Sequence, residues 1–130
     1  IAHKTNNKLI TIKALVNYYY IKDKTIKQNI GPIDFLRLIN NAEFIVSSSF
    51  HGVAFSIILE KQFCASLNKK SERVTALLEK LQLNNRYLND KNHNIDSLLE
   101  NKIDFSKHKL ILNAEIDKSK DFLLKSILNN

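Results

Sequence analysis

The chain has 130 residues, enough for one ordinary domain, with 44% hydrophobic and 25% charged residues, a balance that excludes a disordered tail. Its formal charge is +7 with a pI near 9.5, but 17 of the 20 cations are lysines spread from Lys4 to Lys125, which favours an anionic small molecule over nucleic acid as partner. Apolar runs such as Phe44–Val46 are far shorter than the roughly 20 residues of a spanning helix, no secretory h-region follows Lys4 and Lys8, and the single Cys64 fits a reducing cytoplasm and no zinc site.

Residues 8–13 alternate weakly and are rich in Ile and Thr, which predicts a short strand. The Tyr18–Ile21 run suits a strand or a helix end, and Lys22–Gln28 reads as loop. After Gly31, Pro32 suits the first turn of a helix with Phe35, Leu36 and Ile39 on one face, ended by Asn40–Asn41. Glu43–Ser47 is an apolar strand of the kind buried in a parallel sheet, and Ser48–Phe50 a turn. A helix follows over His51–Lys61, then a strand over Gln62–Leu67. Ser71 can cap the next helix, whose buried stripe is Val74, Leu77, Leu78 and Leu81. Residues 84–94 read as loop with a short strand at Arg86–Leu88, Ile95–Asn101 as a short helix, and 106–128 as a long C-terminal helix. The alternation predicts a single α/β domain over 1–130: a parallel sheet flanked by helices.

The stretch from Glu43 to Gly52 concentrates the chemistry. In an open parallel sheet, a strand running through a polar turn into a helix forms the crevice where ligands bind. The first helical turn leaves N–H groups unpaired, and the small residues Ser48, Ser49 and Gly52 allow an anion to approach them. His51 stands in that turn, where an imidazole can donate a proton or pair with a carboxylate or phosphate. The same residues also read structurally, with Ser49 as a simple N-cap and His51 as a hydrogen-bonded histidine. Cys64, between Phe63 and Ala65, reads as a small core residue, and His3, His93 and His108 as surface.

Pro32–x–x–Phe35–Leu36, Ala42–Glu43–Phe44–Ile45–Val46, Ser49–Phe50–His51–Gly52 and Lys61–Gln62–Phe63 together resemble the C-terminal half of the polysaccharide pyruvyl transferase family. Arg73 before Leu77–Leu78, and Leu83–x–x–Arg86, extend the resemblance to about residue 88. Glu43 and Gln62 stand where the family commonly has Asp and Pro. The resemblance implies the Rossmann-like, donor-side half of a two-domain, GT-B-like transferase, inactive without a preceding N-terminal half. It implies pyruvyl transfer from phosphoenolpyruvate to two sugar hydroxyls as a ketal, in the cytoplasm, for bacterial exopolysaccharide biosynthesis. No metal or cofactor is expected, and peripheral membrane association would come through a lipid-linked acceptor.

Under that resemblance His51 is the catalytic acid or a contact to the donor. Ser48, Ser49, Phe50, Gly52, Lys69, Lys70, Arg73 and Arg86 are the donor-binding candidates. Arg73 reads equally as an exposed arginine paired with Glu72 or Glu79, Lys69 and Lys70 as a solvated loop, and Arg86 as packing for its own turn. The competing functions are half of a nucleotide-sugar glycosyltransferase, for which Glu60 and Glu79 are the nearest ribose-binding carboxylates, and a non-catalytic binding module.

Overall fold

The computed structural model of the chain describes residues 8, 10–12, 26–27, 30–66, 71–88 and 95–128. Two short parallel strands, β1 (Thr11–Ile12) and β2 (Ile26–Lys27), pair Thr11 with Ile26 and Ile12 with Lys27. β1 lies inside the strand expected over 8–13. β2 corrects the loop expected over Lys22–Gln28, because its pairing is with residues 15 positions away and leaves no local periodicity.

From Gly31 the chain alternates as the pattern predicts: α1 (Pro32–Asn41), β3 (Phe44–Ser47), α2 (Phe50–Ile58), β4 (Gln62–Ser66) and α3 (Glu72–Lys80). A 3-10 turn (Asn84–Arg86), β5 (Tyr87–Leu88), α4 (Ile95–Glu100) and α5 (Phe105–Leu128) complete it. Pro32 opens α1, and Asn40 and Asn41 form its last turn. β3, β4 and β5 make a parallel sheet in that order, with Val46 beside Cys64 and Ala65 beside Tyr87. The central strand buries Phe63, Cys64 and Ala65 completely. Phe63 and Ala65 face the core built with Val53 and Ile57 of α2 and Val74 and Leu78 of α3, and Cys64 alternates to the other side. The fold is the small α/β, Rossmann-like arrangement that the sequence predicts.

Two helix ends share a closure that the sequence hides. α2 stops at Ile58, short of the expected Lys61, because Glu60 takes φ 52° and Lys61 N–H reaches back to Ser56 O at 2.8 Å. α3 stops likewise: Gln82 takes φ 57° and Leu83 N–H reaches Leu78 O at 2.7 Å. Both are Schellman closures, in which glycine is the usual left-handed residue, so the ordinary stop signal is absent. Ser71 precedes α3 without a side-chain cap, contrary to expectation, and it is Ser71 O that accepts a bond from Thr75 Oγ1 at 2.9 Å.

The segment before α5 is tied to the sheet by one side chain. Gln62 Nε2 donates to Ile103 O at 3.2 Å, and Ile103 N–H donates to Gln62 Oε1 at 2.7 Å. His108, expected at the surface, is half-buried with Nδ1 2.7 Å from Leu81 O. A carbonyl only accepts, so Nδ1 carries the proton. Among the described residues no helix is long and apolar enough to cross a membrane.

Candidate functional site

The site is built where β3 ends and α2 begins. Ser47, the last residue of β3, accepts from Ser49 N–H at 3.1 Å and lies 3.2 Å from Ser49 O, where its hydroxyl donates. A serine hydroxyl bonding two residues ahead makes a tight turn without glycine. The turn sets Ser49 in an extended conformation, φ −99° and ψ 137°, as the N-cap residue, and Ser49 O takes the first helical bond from Val53 N–H at 3.1 Å.

The Ser49 hydroxyl does not cap the helix. The N–H groups of Phe50, His51 and Gly52 therefore have no acceptor among the described residues. These oriented donors sit at the positive end of the α2 dipole, an arrangement that favours an anion. Gly52 is buried, and a β-carbon there would collide with Ser47 Oγ, so the close passage of helix start over strand end requires glycine.

His51 is exposed, and its ring meets that of Phe50 edge-on, with centroids 5.8 Å apart. Arg73, in the first turn of α3, reaches the same ring: its guanidinium carbon lies 5.5 Å from the Phe50 centroid. Phe50 thus stands between an imidazole and a guanidinium, one from each of two helices that follow adjacent parallel strands. Neither Glu72 nor Glu79 takes Arg73 as an ion-pair partner; the aromatic face does.

Other candidates fall elsewhere. Ser48 is exposed on the turn, and Lys69 and Lys70 lie outside the described residues. Arg86 is only 1% exposed, and its guanidinium donates to Leu98 O at 3.0 Å and to Asn101 O, at the end of α4. It therefore packs its own turn against α4 and does not join the Phe50 junction. Burial pulls the Arg86 guanidinium below its ordinary range, opposed by Cys64 beside it. Burial likewise pushes the Cys64 thiol up to about 11, with Arg86 pulling the other way. The thiol stays protonated at neutral pH, which fits a core residue and not a nucleophile.

Glu60 lies before β4, at the amino end of the sheet, and pairs with Lys109 at 2.7 Å. Glu79 sits in the last turn of α3, remote from the first turn that carries Arg73. Among the described residues no group of His, Cys, Asp and Glu could hold a metal ion. Ser47 is the residue that sequence reasoning missed. The available signal was a hydroxyl two positions ahead of the N-cap, hidden in a run of three serines.

No curated protein and no solved structure matches the chain. The family model for polysaccharide pyruvyl transferase matches residues 1–70, just over half of the sequence. The match includes the whole β3–α2 junction and reaches back to Ile1, beyond the motifs that first carried the resemblance, while Arg73 and Arg86 lie past its end. The chain accordingly belongs to the polysaccharide pyruvyl transferase family.

Proposed function

We propose that this chain forms the donor-binding wall of a transferase that moves pyruvate from phosphoenolpyruvate onto two hydroxyls of a saccharide as a cyclic ketal. One observation carries the reading: the unpartnered N–H groups of α2, the exposed His51 and the Arg73 guanidinium converge on Phe50. Phosphoenolpyruvate bears a carboxylate and a phosphate on one small carbon frame. The α2 N–H groups suit one of these anions, and the forked guanidinium of Arg73 suits the other. Ser48 and Ser49, small and exposed, keep the approach to those N–H groups open.

In this mechanism His51 delivers a proton to the methylene carbon and C2 becomes cation-like. A sugar hydroxyl adds to C2 and gives up its proton. Phosphate then leaves, and the second hydroxyl closes the ketal with loss of its own proton. Fixed N–H groups and Arg73 stabilise the charge carried by the departing phosphate. The donor arrives already activated, so the scheme calls on no cofactor. The acceptor side would come from a second domain, in the cytoplasm where the donor is made.

A backbone amide NMR titration tests this. Phosphoenolpyruvate should shift resonances at Ser48–Val53 and around Arg73, and a nucleotide diphosphate sugar should not. Shifts with the nucleotide sugar alone would replace pyruvyl transfer by glycosyl transfer. In the complete enzyme, His51→Ala should abolish turnover, and normal turnover would remove His51 from the mechanism.

A further inference from the structure

The long helix α5 is held on the domain by its first half only. His108 reaches Leu81 O, Lys109 pairs with Glu60, and Glu115 pairs with Lys80 at 2.5 Å, while Phe105, Ile111 and Leu112 pack against the core. From Ile116 through Leu128 every residue is exposed, including Phe122 at 71%, Leu123 at 58%, Ile127 at 69% and Leu128 at 78%. At about 100° per residue, Ile116, Leu123 and Ile127 share one stripe, which Leu124 and Leu128 widen in the last two turns. Lys118, Asp121 and Lys125 lie on the far side.

We propose that this projecting end of α5 seats itself in the headgroup region of an anionic bilayer. Lysine chemistry separates this occupant from a protein. Lys120 falls within the apolar stripe, between Ile127 and Leu124 around the helix, whereas the cores of protein interfaces are depleted in lysine; Lys118 and Lys125 supply charge on the polar face. Lysine stems lying along apolar surface with their ammonium groups in the headgroups suit a membrane interface. The polar residues of the tip are also prepared to leave water. Ser119 Oγ donates to Glu115 O at 2.9 Å and Ser126 Oγ to Phe122 O at 2.8 Å, so neither hydroxyl loses a partner on burial. Asp117, the acidic group nearest the stripe, has Lys120 beside it at 3.9 Å. The +7 charge of the chain draws it to an anionic surface, and the helix is too polar to span one. This inference stands apart from the transferase reading.

Co-sedimentation of the intact chain with vesicles tests it. Vesicles of phosphatidylcholine mixed with phosphatidylglycerol should carry the chain down, and pure phosphatidylcholine should carry at least about tenfold less. Leu123→Asp with Ile127→Asp should abolish binding with an unchanged far-ultraviolet circular dichroism spectrum. Lys118→Gln, Lys120→Gln and Lys125→Gln together should remove the preference for anionic lipid. No sedimentation with either vesicle, or undiminished sedimentation of the aspartate variant, would overturn the proposal. So would a vesicle-independent dimer that the aspartate variant dissolves, since it would assign the stripe to a second copy of the chain.

Discussion

Ser47 Oγ occupies the space into which a β-carbon on Gly52 would project, and even Ser47 Cβ would be only 3.0 Å from it. The two residues therefore share one volume, and it is this packing that lays the helix start over the strand end. Gly52→Ala should cost about 1–3 kcal/mol in urea unfolding. The double variant Ser47→Ala with Gly52→Ala should recover part of that loss, because the colliding hydroxyl is gone. Strictly additive losses would show that the two side chains do not compete for space.

Arg73 and Arg37 are both exposed, but only Arg73 reaches the site; Arg37 lies on α1 and pairs with Asp34 at 3.3 Å. Arg73→Lys should weaken phosphoenolpyruvate binding by roughly three- to tenfold, because an ammonium loses both the fork and its stacking on Phe50. Arg37→Lys should leave the affinity unchanged. Calorimetric titration of the two variants makes the comparison, and equal affinities would reduce Arg73 to a surface cation.

Arg86 holds two carbonyls at the end of α4 from inside the protein. Arg86→Met keeps much of the volume and leaves both acceptors without their donor. A loss of about 3 kcal/mol is expected in urea unfolding, with faster amide exchange over residues 101–103. Arg86→Lys should rescue little, since one ammonium does not reproduce the fork. A neutral Arg86→Met variant would mean that water replaces the guanidinium without loss.

The raised thiol of Cys64 gives stability a signature in alkali. Its ordinary pKa is 9.0 and the folded value is about 11, so the folded state holds the proton more tightly. Its contribution is full below pH 9.0 and is lost as the pH climbs toward 11, where the unfolded thiol ionises and the folded one does not. Cys64→Ala should flatten that part of the unfolding midpoint against pH. An unchanged slope would assign the alkaline loss to other groups.

The α1–β3–α2–β4 run was legible in the sequence because each element carries its own local signal. Pro32 marks a helix start, Phe44–Val46 is apolar on both faces, and Val53 and Ile57 repeat at helical spacing. His51, Gly52 and the turn that opens α2 could be named from the same signals. What stayed hidden depends on partners distant in sequence. Arg86 reads from sequence as a donor contact or as packing for its own turn, and only its bonds to Leu98 O and Asn101 O reveal α4 as its partner. Phe50 and Arg73 are 23 positions apart, so their stacking has no trace in either local pattern. Ile26–Lys27 pairs as a strand only because Thr11–Ile12 lies beside it.

The side-chain amide of Gln62 offers Ile103 the same donor and acceptor that a neighbouring backbone would. It serves as a one-residue stand-in for an extra strand, bridging 41 positions of chain. A proline at 62 has neither group, so a relative with proline there must fasten this segment in some other way. Here, the first residue of the central strand and the lead-in to the longest helix become one mechanical unit. Opening either should loosen the other, which makes the Ile103 amide a gauge of how cooperatively the domain comes apart.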